Sequence, residues 1–360
     1  MSEQIDFALK PGAQPGDSAF LLNSGRHQFA FDPVPGRAIA IAFLGSATDP
    51  AAQGALAALS ANSRLADDGE AAFFAVVRES GLGPEIALEA RFPSIVFLWD
   101  GGDMARAFGA DRSWVILDPM LRVVDVAPLN EAERAFEALN RASRLSLALA
   151  PSPPAPILTL AHVFEPELCA HLITQFEQDG GKDTGFMQDQ GGRSVENFDG
   201  EWKRRRDFHL TDRHLVASLR ARIGRRICPE IKKAFQMRPT RIERDLVARY
   251  DSETGGHFGP HRDDTGIAIA HRRFAVSINL NADFEGGEIS FPEYSPQTFK
   301  AAPGTAVVFS ASILHQVSRV TRGRRYVFLT FLFDEEAERL RQANLQAVQQ
   351  AQRQPQLADA

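Results

Sequence analysis

The pattern of apolar and polar positions changes character at Ala148–Pro156. Before it, short apolar runs alternate with helical stretches. Arg37–Gly45 (RAIAIAFLG) reads as a buried strand and Ala51–Arg64 as an alanine-rich helix. Ala71–Arg78 (AAFFAVVR), Ser94–Leu98 and Ser113–Leu117 read as further strands, and Glu131–Leu147 as another helix. Such alternation predicts an α/β sandwich around a mainly parallel sheet.

The boundary itself, ALAPSPPAP, holds four prolines, which exclude helix and central strand and predict an extended linker. Beyond it, Glu165–Gln178 reads as a helix and the Gly-rich stretch Gly180–Gly200 as a mobile loop, with helices recurring through Lys233. From Asp245 the text breaks into short strands split by turn residues: LVARYD, RRFAVSINLN, GEISFP, GTAVVFSA and RRYVFLTFLF. Many short strands of this kind predict a barrel or a double-sheet jelly roll. The tail Asp334–Gln354 reads as one polar helix with Leu340 and Leu345 as sparse apolar points, either solvated or a dimer contact. The expected organisation is therefore residues 1–147, a linker over 148–156, a second domain over 157–335 and a polar tail over 336–360.

Composition adds bounds. A chain of 360 residues exceeds one ordinary core, so two domains are expected. A hydrophobic share of 44% with 24% charged residues is that of a globular protein, and the net charge of −6 selects no partner. Cys169 and Cys228 stand far apart, which excludes a disulfide scaffold and a cysteine-rich zinc site. Met1–Lys10 lacks the order of a signal peptide, and the longest apolar run, Ala38–Leu44, is too short to span a bilayer. A cytoplasmic protein without membrane contact is expected.

The densest chemistry lies in Tyr250–Asp263, YDSETGGHFGPHRD. His261 and Asp263 stand at i and i+2 at a strand end, where both side chains reach one face. His315 follows 54 residues later, after another strand. Two imidazoles and one carboxylate leave three octahedral positions open, the arrangement of non-haem Fe(II) oxygenases. Arg325, ten residues beyond His315, opens a strand and can grip a carboxylate with its fork of donors. His257 and His261 share the i, i+4 spacing of a helical zinc pair, but Gly255, Gly256, Gly259 and Pro260 exclude helix there, so His257 reads as a pocket or loop residue. His271 reads as a residue near the mouth of the site or an ordinary exposed histidine.

Tyr250, Gly256, Phe258, His261 and Asp263, then SINLNADFEGGEISFP at Ser277–Pro292, Gly304–Phe309 and HQVSRVTRGRRY at His315–Tyr326, resemble the prolyl 4-hydroxylase-like branch of the 2-oxoglutarate oxygenases. The resemblance covers Ile157–Glu335 and implies a double-stranded β-helix, Fe(II) held by His261, Asp263 and His315, 2-oxoglutarate, O2 and L-ascorbate. It implies a dioxygenase that hydroxylates an unactivated C–H of a prolyl or other amino-acid residue, free or in a peptide, and releases succinate and CO2. Arg325 and Tyr250 are implied to hold the co-substrate. Asn279 stands where several relatives place a tyrosine for that carboxylate, and its amide can donate there instead. Two alternatives stay open: an iron- and 2-oxoglutarate-binding sensor with little turnover, and a metal-binding jelly roll of the cupin kind, against which Arg325 and the Gly-Gly-Glu turn argue.

From Arg193 to Arg249 there are 16 Lys and Arg against eight Asp and Glu. The run Lys203–Arg206 beside Trp202 reads either as a solvated face or as contact with an anionic partner. Trp202, Arg204, His257 and Arg273 are the candidate substrate residues. The substrate class is a peptide, an amino acid or a small molecule, and nucleic acid is not expected.

In the first domain, PGDSAFLL (Pro15–Leu22), RAIAIAFLGSATDP and AFGADRSWVILDPMLRV (Ala107–Val123) resemble peroxiredoxin-like thioredoxin folds. The fold class expected overall is an α/β thioredoxin-like domain followed by an α+β jelly-roll domain. Thiolate peroxide chemistry needs a low-pKa cysteine, yet Ser46–Asp49 follows the first strand and no cysteine precedes Cys169. The domain is expected to serve docking, substrate recruitment or a homodimer; the C-terminal helix is the other dimer candidate.

Overall fold

A computed structural model describes residues 36–68, 70–78, 88–148, 154–190 and 193–353. The stretch Pro15–Leu22 and most of the proline linker lie outside the described residues. The chain forms two compact units, the second beginning at Pro154.

The first unit holds one five-stranded sheet. Its strands are β1 (Ala38–Gly45), β2 (Ala71–Val77), β3 (Val96–Trp99), β4 (Ser113–Leu117) and β5 (Val123–Pro128), in the order β3-β2-β1-β4-β5. β1 is apolar throughout because both of its faces are covered. Ala38, Ala40 and Ala42 pack under helices α1 (Pro50–Ala61) and α4 (Ala132–Ala148), whereas Ile39, Ile41 and Phe43 pack with Met104 and Phe108 of α3 (Asp103–Phe108). The helix expected over Ala51–Arg64 is two. Asn62 caps α1 through its backbone N–H to Leu59 O, and a short α2 restarts at Ser63–Asp67. Asp49 and Pro50 start α1: the Asp49 carboxylate accepts from Ala51 N, and proline needs no hydrogen-bond partner at a first helical position.

The sheet is mixed, which corrects the mainly parallel expectation. β1, β2 and β3 run parallel, but β4 lies antiparallel to β1 and β5 antiparallel to β4. For β5 the reason is local. The Asp118 carboxylate accepts from Met120 N and Arg122 N at 2.9 Å each and closes a tight turn, so β5 must return beside β4.

The second unit is built on two facing sheets. In chain order its strands are β6 (Leu158–Leu160), β7 (Lys182–Asp183), β8 (Phe186–Gln190), β9 (Arg193–Asn197), β10 (Lys203–Arg204), β11 (Arg206–His209), β12 (Arg241–Asp251), β13 (His257–His261) and β14 (Phe274–Asn279). They continue with β15 (Glu285–Gly286), β16 (Ile289–Phe291), β17 (Ser295–Phe299), β18 (Ala306–Ser310), β19 (His315–Val317), β20 (Val320–Arg322) and β21 (Arg324–Phe333). The larger sheet runs β6-β18-β14-β21-β12-β11-β7 and the smaller β10-β13-β19-β16-β17.

Helices α5 (Pro166–Asp179), α6 (Arg213–Arg226) and α7 (Cys228–Phe235) cover one face of the larger sheet through Leu172, Phe176, Leu219, Ile223 and Ile231. Its other face meets the smaller sheet across Leu246, Ala248, Tyr250 and Val327 on one side and Phe258 and Val317 on the other. This is the double-sheet fold expected from the strand text.

Two expectations change. The stretch read as a mobile loop contains a hairpin: β8 pairs antiparallel with β9 from Phe186↔Asn197 to Gln190↔Arg193, a register that leaves only Gly191 and Gly192 between the strands. The terminal helix α8 (Glu335–Arg353) is not simply solvated. Ala337 is buried, Glu335 pairs with Arg241, and Asn344 Nδ2 donates to Ile267 O at 2.9 Å. Leu340 and Leu345 stay exposed. Among the described residues no helix is long and apolar enough to cross a membrane.

Candidate metal centre

β13 and β19 lie antiparallel with His261 directly opposite His315. The pairing slips between Phe258 and His261, a bulge at Gly259–Pro260. That extra residue breaks strand alternation. It puts Phe258 and His261 on one face, stacked at 3.5 Å, with the His315 ring 4.2 Å from His261. Asp263 follows just past the strand end, its N–H bonded to Ala311 O at 2.8 Å. His261 Nε2 lies 3.8 Å from Asp263 Oδ1, and His315 Nε2 lies 3.4 Å from Asp263 Oδ2.

One ligand atom from each of these residues falls within 4.8 Å of the others, close enough for a single ion. The tautomers suit that use. His261 Nδ1 faces Gly259 O at 2.8 Å and His315 Nδ1 faces Ile313 O at 3.0 Å, so Nδ1 carries the proton and Nε2 keeps its lone pair. Burial and the neighbouring His315 push the His261 pKa down to about 3, which keeps the imidazole neutral as a ligand must be. Burial pushes the Asp263 carboxyl upward, but His315, His261, Arg272 and Arg205 outweigh it and the carboxyl stays ionised.

Arg325 sits on the facing sheet, opposite Tyr250 in the β12–β21 pairing and only 3% exposed. Its Nε and Nη2 donate to Asn279 Oδ1 at 3.1 and 3.0 Å. Asn279 Nδ2 donates to Ala301 O at 2.8 Å, which turns the amide oxygen towards the guanidinium. Asn279 thus orients Arg325, and the sequence reading of its amide as a donor to a ligand carboxylate is corrected to that extent. Among the described residues, Arg325 Nη1 is buried without a hydrogen-bond partner. A buried charged donor left unpaired costs about 3 kcal/mol, so a position for an anion is implied beside it. The Tyr250 ring lies 5.4 Å from the guanidinium carbon.

The substrate candidates separate. Trp202 is half-buried and lies flat on β13, where a Cβ at Gly259 would come within 3.0 Å of its ring. Arg204 donates to Gly200 O and Thr254 O and pairs with Glu201, at the surface. His257, on the far side of the bulge, has its ring nitrogens 2.8 Å from Gly255 O and 2.8 Å from Glu201 O, so both are taken up by backbone carbonyls. Arg273 donates to Ala270 O and is half-buried. His271 is neither at the mouth nor exposed: it is 1% exposed, with Nε2 2.6 Å from Glu243 Oε2.

The basic run is largely internal wiring. Arg205 pairs with Asp207 through two hydrogen bonds of 2.7 Å, and Lys203 Nζ lies 5.0 Å above the Phe258 ring. Arg220 holds Asp245, and Arg222 and Arg226 share Glu165. Sequence reasoning missed Asp207, Glu243 and Arg272 as parts of the site. The i, i+2 pair Arg205–Asp207 on strand text was the one available signal.

Residues 246–333 match the family model of the 2OG-Fe(II) oxygenase superfamily. The C-terminal region therefore carries a 2OG-Fe(II) oxygenase domain. Among curated proteins, the chain is 34% identical over 101 residues to a PKHD-type hydroxylase of Sphingopyxis alaskensis, covering 26% of this chain and 45% of that one. It is 29% identical over 172 residues to a PKHD-type hydroxylase of Maricaulis maris, covering 47% of this chain and 74% of that one. The chain thus spans less than half of the first relative's length. Among solved structures, a Pseudomonas putida prolyl-4-hydroxylase aligns over 53% of this chain and 96% of its own at 14% identity, with a TM-score of 0.36. A Trichoplax adhaerens prolyl hydroxylase in complex with a hypoxia inducible factor peptide aligns over 54% and 89% at 16% identity, with a TM-score of 0.39.

Proposed function

We propose that the second unit is an Fe(II)- and 2-oxoglutarate-dependent dioxygenase that hydroxylates an unactivated C–H bond, on a prolyl or other amino-acid residue, free or in a peptide. The observation that carries the reading is the buried Arg325 Nη1, which among the described residues lacks an acceptor in the interior shared with the His261–Asp263–His315 cluster. A metal alone would leave Nη1 without an acceptor. A dicarboxylate with one end on the metal and the other on Arg325 satisfies both.

In this reading His261, Asp263 and His315 hold the iron. Arg325, aimed by Asn279, takes the remote carboxylate, and Tyr250 offers a hydroxyl donor beside it. When bound, iron and 2-oxoglutarate supply the oxidising power of O2, with 2-oxoglutarate leaving as succinate and CO2 and one oxygen atom entering the substrate. The chain's own work is to bind, aim and keep dry. Phe258 against His261 and Phe309 against His315 exclude water from the ligand side. Trp202, packed on the strand at Gly259, offers an aromatic platform for a substrate ring. The first unit, whose sheet sets a parallel β1–β2 pair beside antiparallel β4 and β5, we read as a thioredoxin-like module used for docking or dimerisation. No cysteine precedes Cys169 to give it thiol chemistry.

The test is succinate formation from 2-oxoglutarate with Fe(II), O2 and ascorbate, accompanied by a screen of peptides and amino acids for products one oxygen atom heavier. Turnover abolished by Arg325→Ala supports the reading. Metal and 2-oxoglutarate binding without succinate under any substrate would replace it with the sensor reading.

A further inference from the structure

Beside the ligand cluster lies a half-buried carboxylate with no part in the reading above. Glu243 stands on β12, where the pairing with β21 slips between Glu243 and Leu246 and Arg244 adopts a φ of 61°. Strand alternation from Tyr250, Ala248 and Leu246 would otherwise turn Glu243 towards the helices. The bulge reverses it: Ile242 packs on the helix side, and Glu243 comes to the face of the metal cluster.

Both oxygens of Glu243 are taken there. Oε1 accepts from Arg272 Nε at 2.7 Å, and Oε2 lies 2.6 Å from His271 Nε2. The Arg272 guanidinium lies 3.9 Å over the Phe331 ring, which fixes its plane, and its Nη1 donates to the backbone oxygen of Asp263 at 3.2 Å. Asp263 lies past the end of β13, where no strand ladder orients its carbonyl. Its N–H is held by Ala311 and its C=O by Arg272.

Helix α8 covers this relay. Arg341 Nε approaches Glu243 Oε2 at 3.9 Å, and Asn344 ties down Ile267 in the loop between Asp263 and His271.

We propose that Glu243 is a positioning residue for the metal ligand Asp263, acting through Arg272, with α8 as the cover that keeps the relay in place. The proposal rests on the metal-centre reading. Without the carboxylate the Arg272 fork can turn, and the Asp263 backbone then loses one of its two anchors. Partners that orient metal ligands typically matter by about 10–100-fold in metal affinity.

The test measures Fe(II) affinity anaerobically, with Mn(II) as a redox-inert check, together with thermal melting of metal-free and metal-loaded protein. Glu243→Gln and Arg272→Lys are each expected to weaken binding by about 10–100-fold and to shrink the melting gain that metal confers. A role in stability alone would lower both melting curves equally. Should Glu243→Gln fail to fold, Arg341→Ala with Asn344→Ala, on the surface of α8, keeps the fold and is expected to weaken binding by about 2–5-fold. Wild-type affinity in any folded variant overturns the proposal. His261→Ala separates the two readings. If it too binds like wild type, the metal centre itself is misassigned; if it alone loses the metal, only the role of Glu243 falls.

Discussion

The two units bury different chemistry. In the first, both faces of β1 and the helices above them are apolar, and its buried carboxylates serve local backbone: Asp118 closes the β4–β5 turn and Asp100 caps the start of α3. In the second, Asp207, His271, Arg272, Asn279, His315 and Arg325 are all buried near one interior. Burying such groups costs free energy unless they are paired, so a fold keeps them where they perform a task. The first unit is organised as a packed apolar core; the second gathers tightly relayed charge around the His261–Asp263–His315 cluster.

That contrast can be broken or sharpened by substitution. The largest effect is expected from His315→Ala or His261→Ala, which should lower Fe(II)-dependent succinate formation by more than the roughly 100-fold at which loss of a ligand's hydrogen-bond partner tops out. Next comes Arg325→Ala. Truncating a buried charge partner costs about 2–5 kcal/mol, so the 2-oxoglutarate dissociation constant should rise at least about tenfold while metal affinity is little changed; titration of each ligand checks the split.

In the first unit, Leu56→Ala empties a fully buried site between α1 and β1 and should cost about 2–5 kcal/mol of stability by denaturant unfolding, with no change in the metal affinity of the second. A parallel loss of metal affinity would contradict the division of labour.

The smallest effect concerns acid. Hydrogen bonds from Arg222 and Arg226 hold the Glu165 carboxyl down at about 2, against an ordinary value of 4.5. The unfolded chain then binds the proton more readily, so this contribution is complete above about pH 4.5 and is lost as pH falls towards 2. Melting temperature measured across that window should decline less steeply in Glu165→Gln than in wild type.

Much of this arrangement was legible before folding, and the exceptions have physical reasons. Strands β1 and β4 announce themselves because their apolar runs are covered on both faces. That His261, Asp263 and His315 come together was readable because the strands restrict their spacing. The β8–β9 hairpin was hidden by its polar composition, although Gly191–Gly192 between equal five-residue runs is a hairpin signal. The parallel expectation failed at β5 because a tight turn at Asp118 returns the chain beside β4. Glu243, His271 and Arg272 could not be joined from the text, since their contact spans 28 and 29 residues and depends on a bulge that alternation does not announce.

The central claim is that one interior holds a metal on His261, Asp263 and His315 and a dicarboxylate between that metal and Arg325. Anaerobic calorimetric titration of 2-oxoglutarate into the Fe(II)-loaded protein and the metal-free protein tests it most directly. The account predicts tight binding of one 2-oxoglutarate per chain that requires the metal and is lost in both His315→Ala and Arg325→Ala. Binding of equal strength without metal, or in either variant, would contradict it.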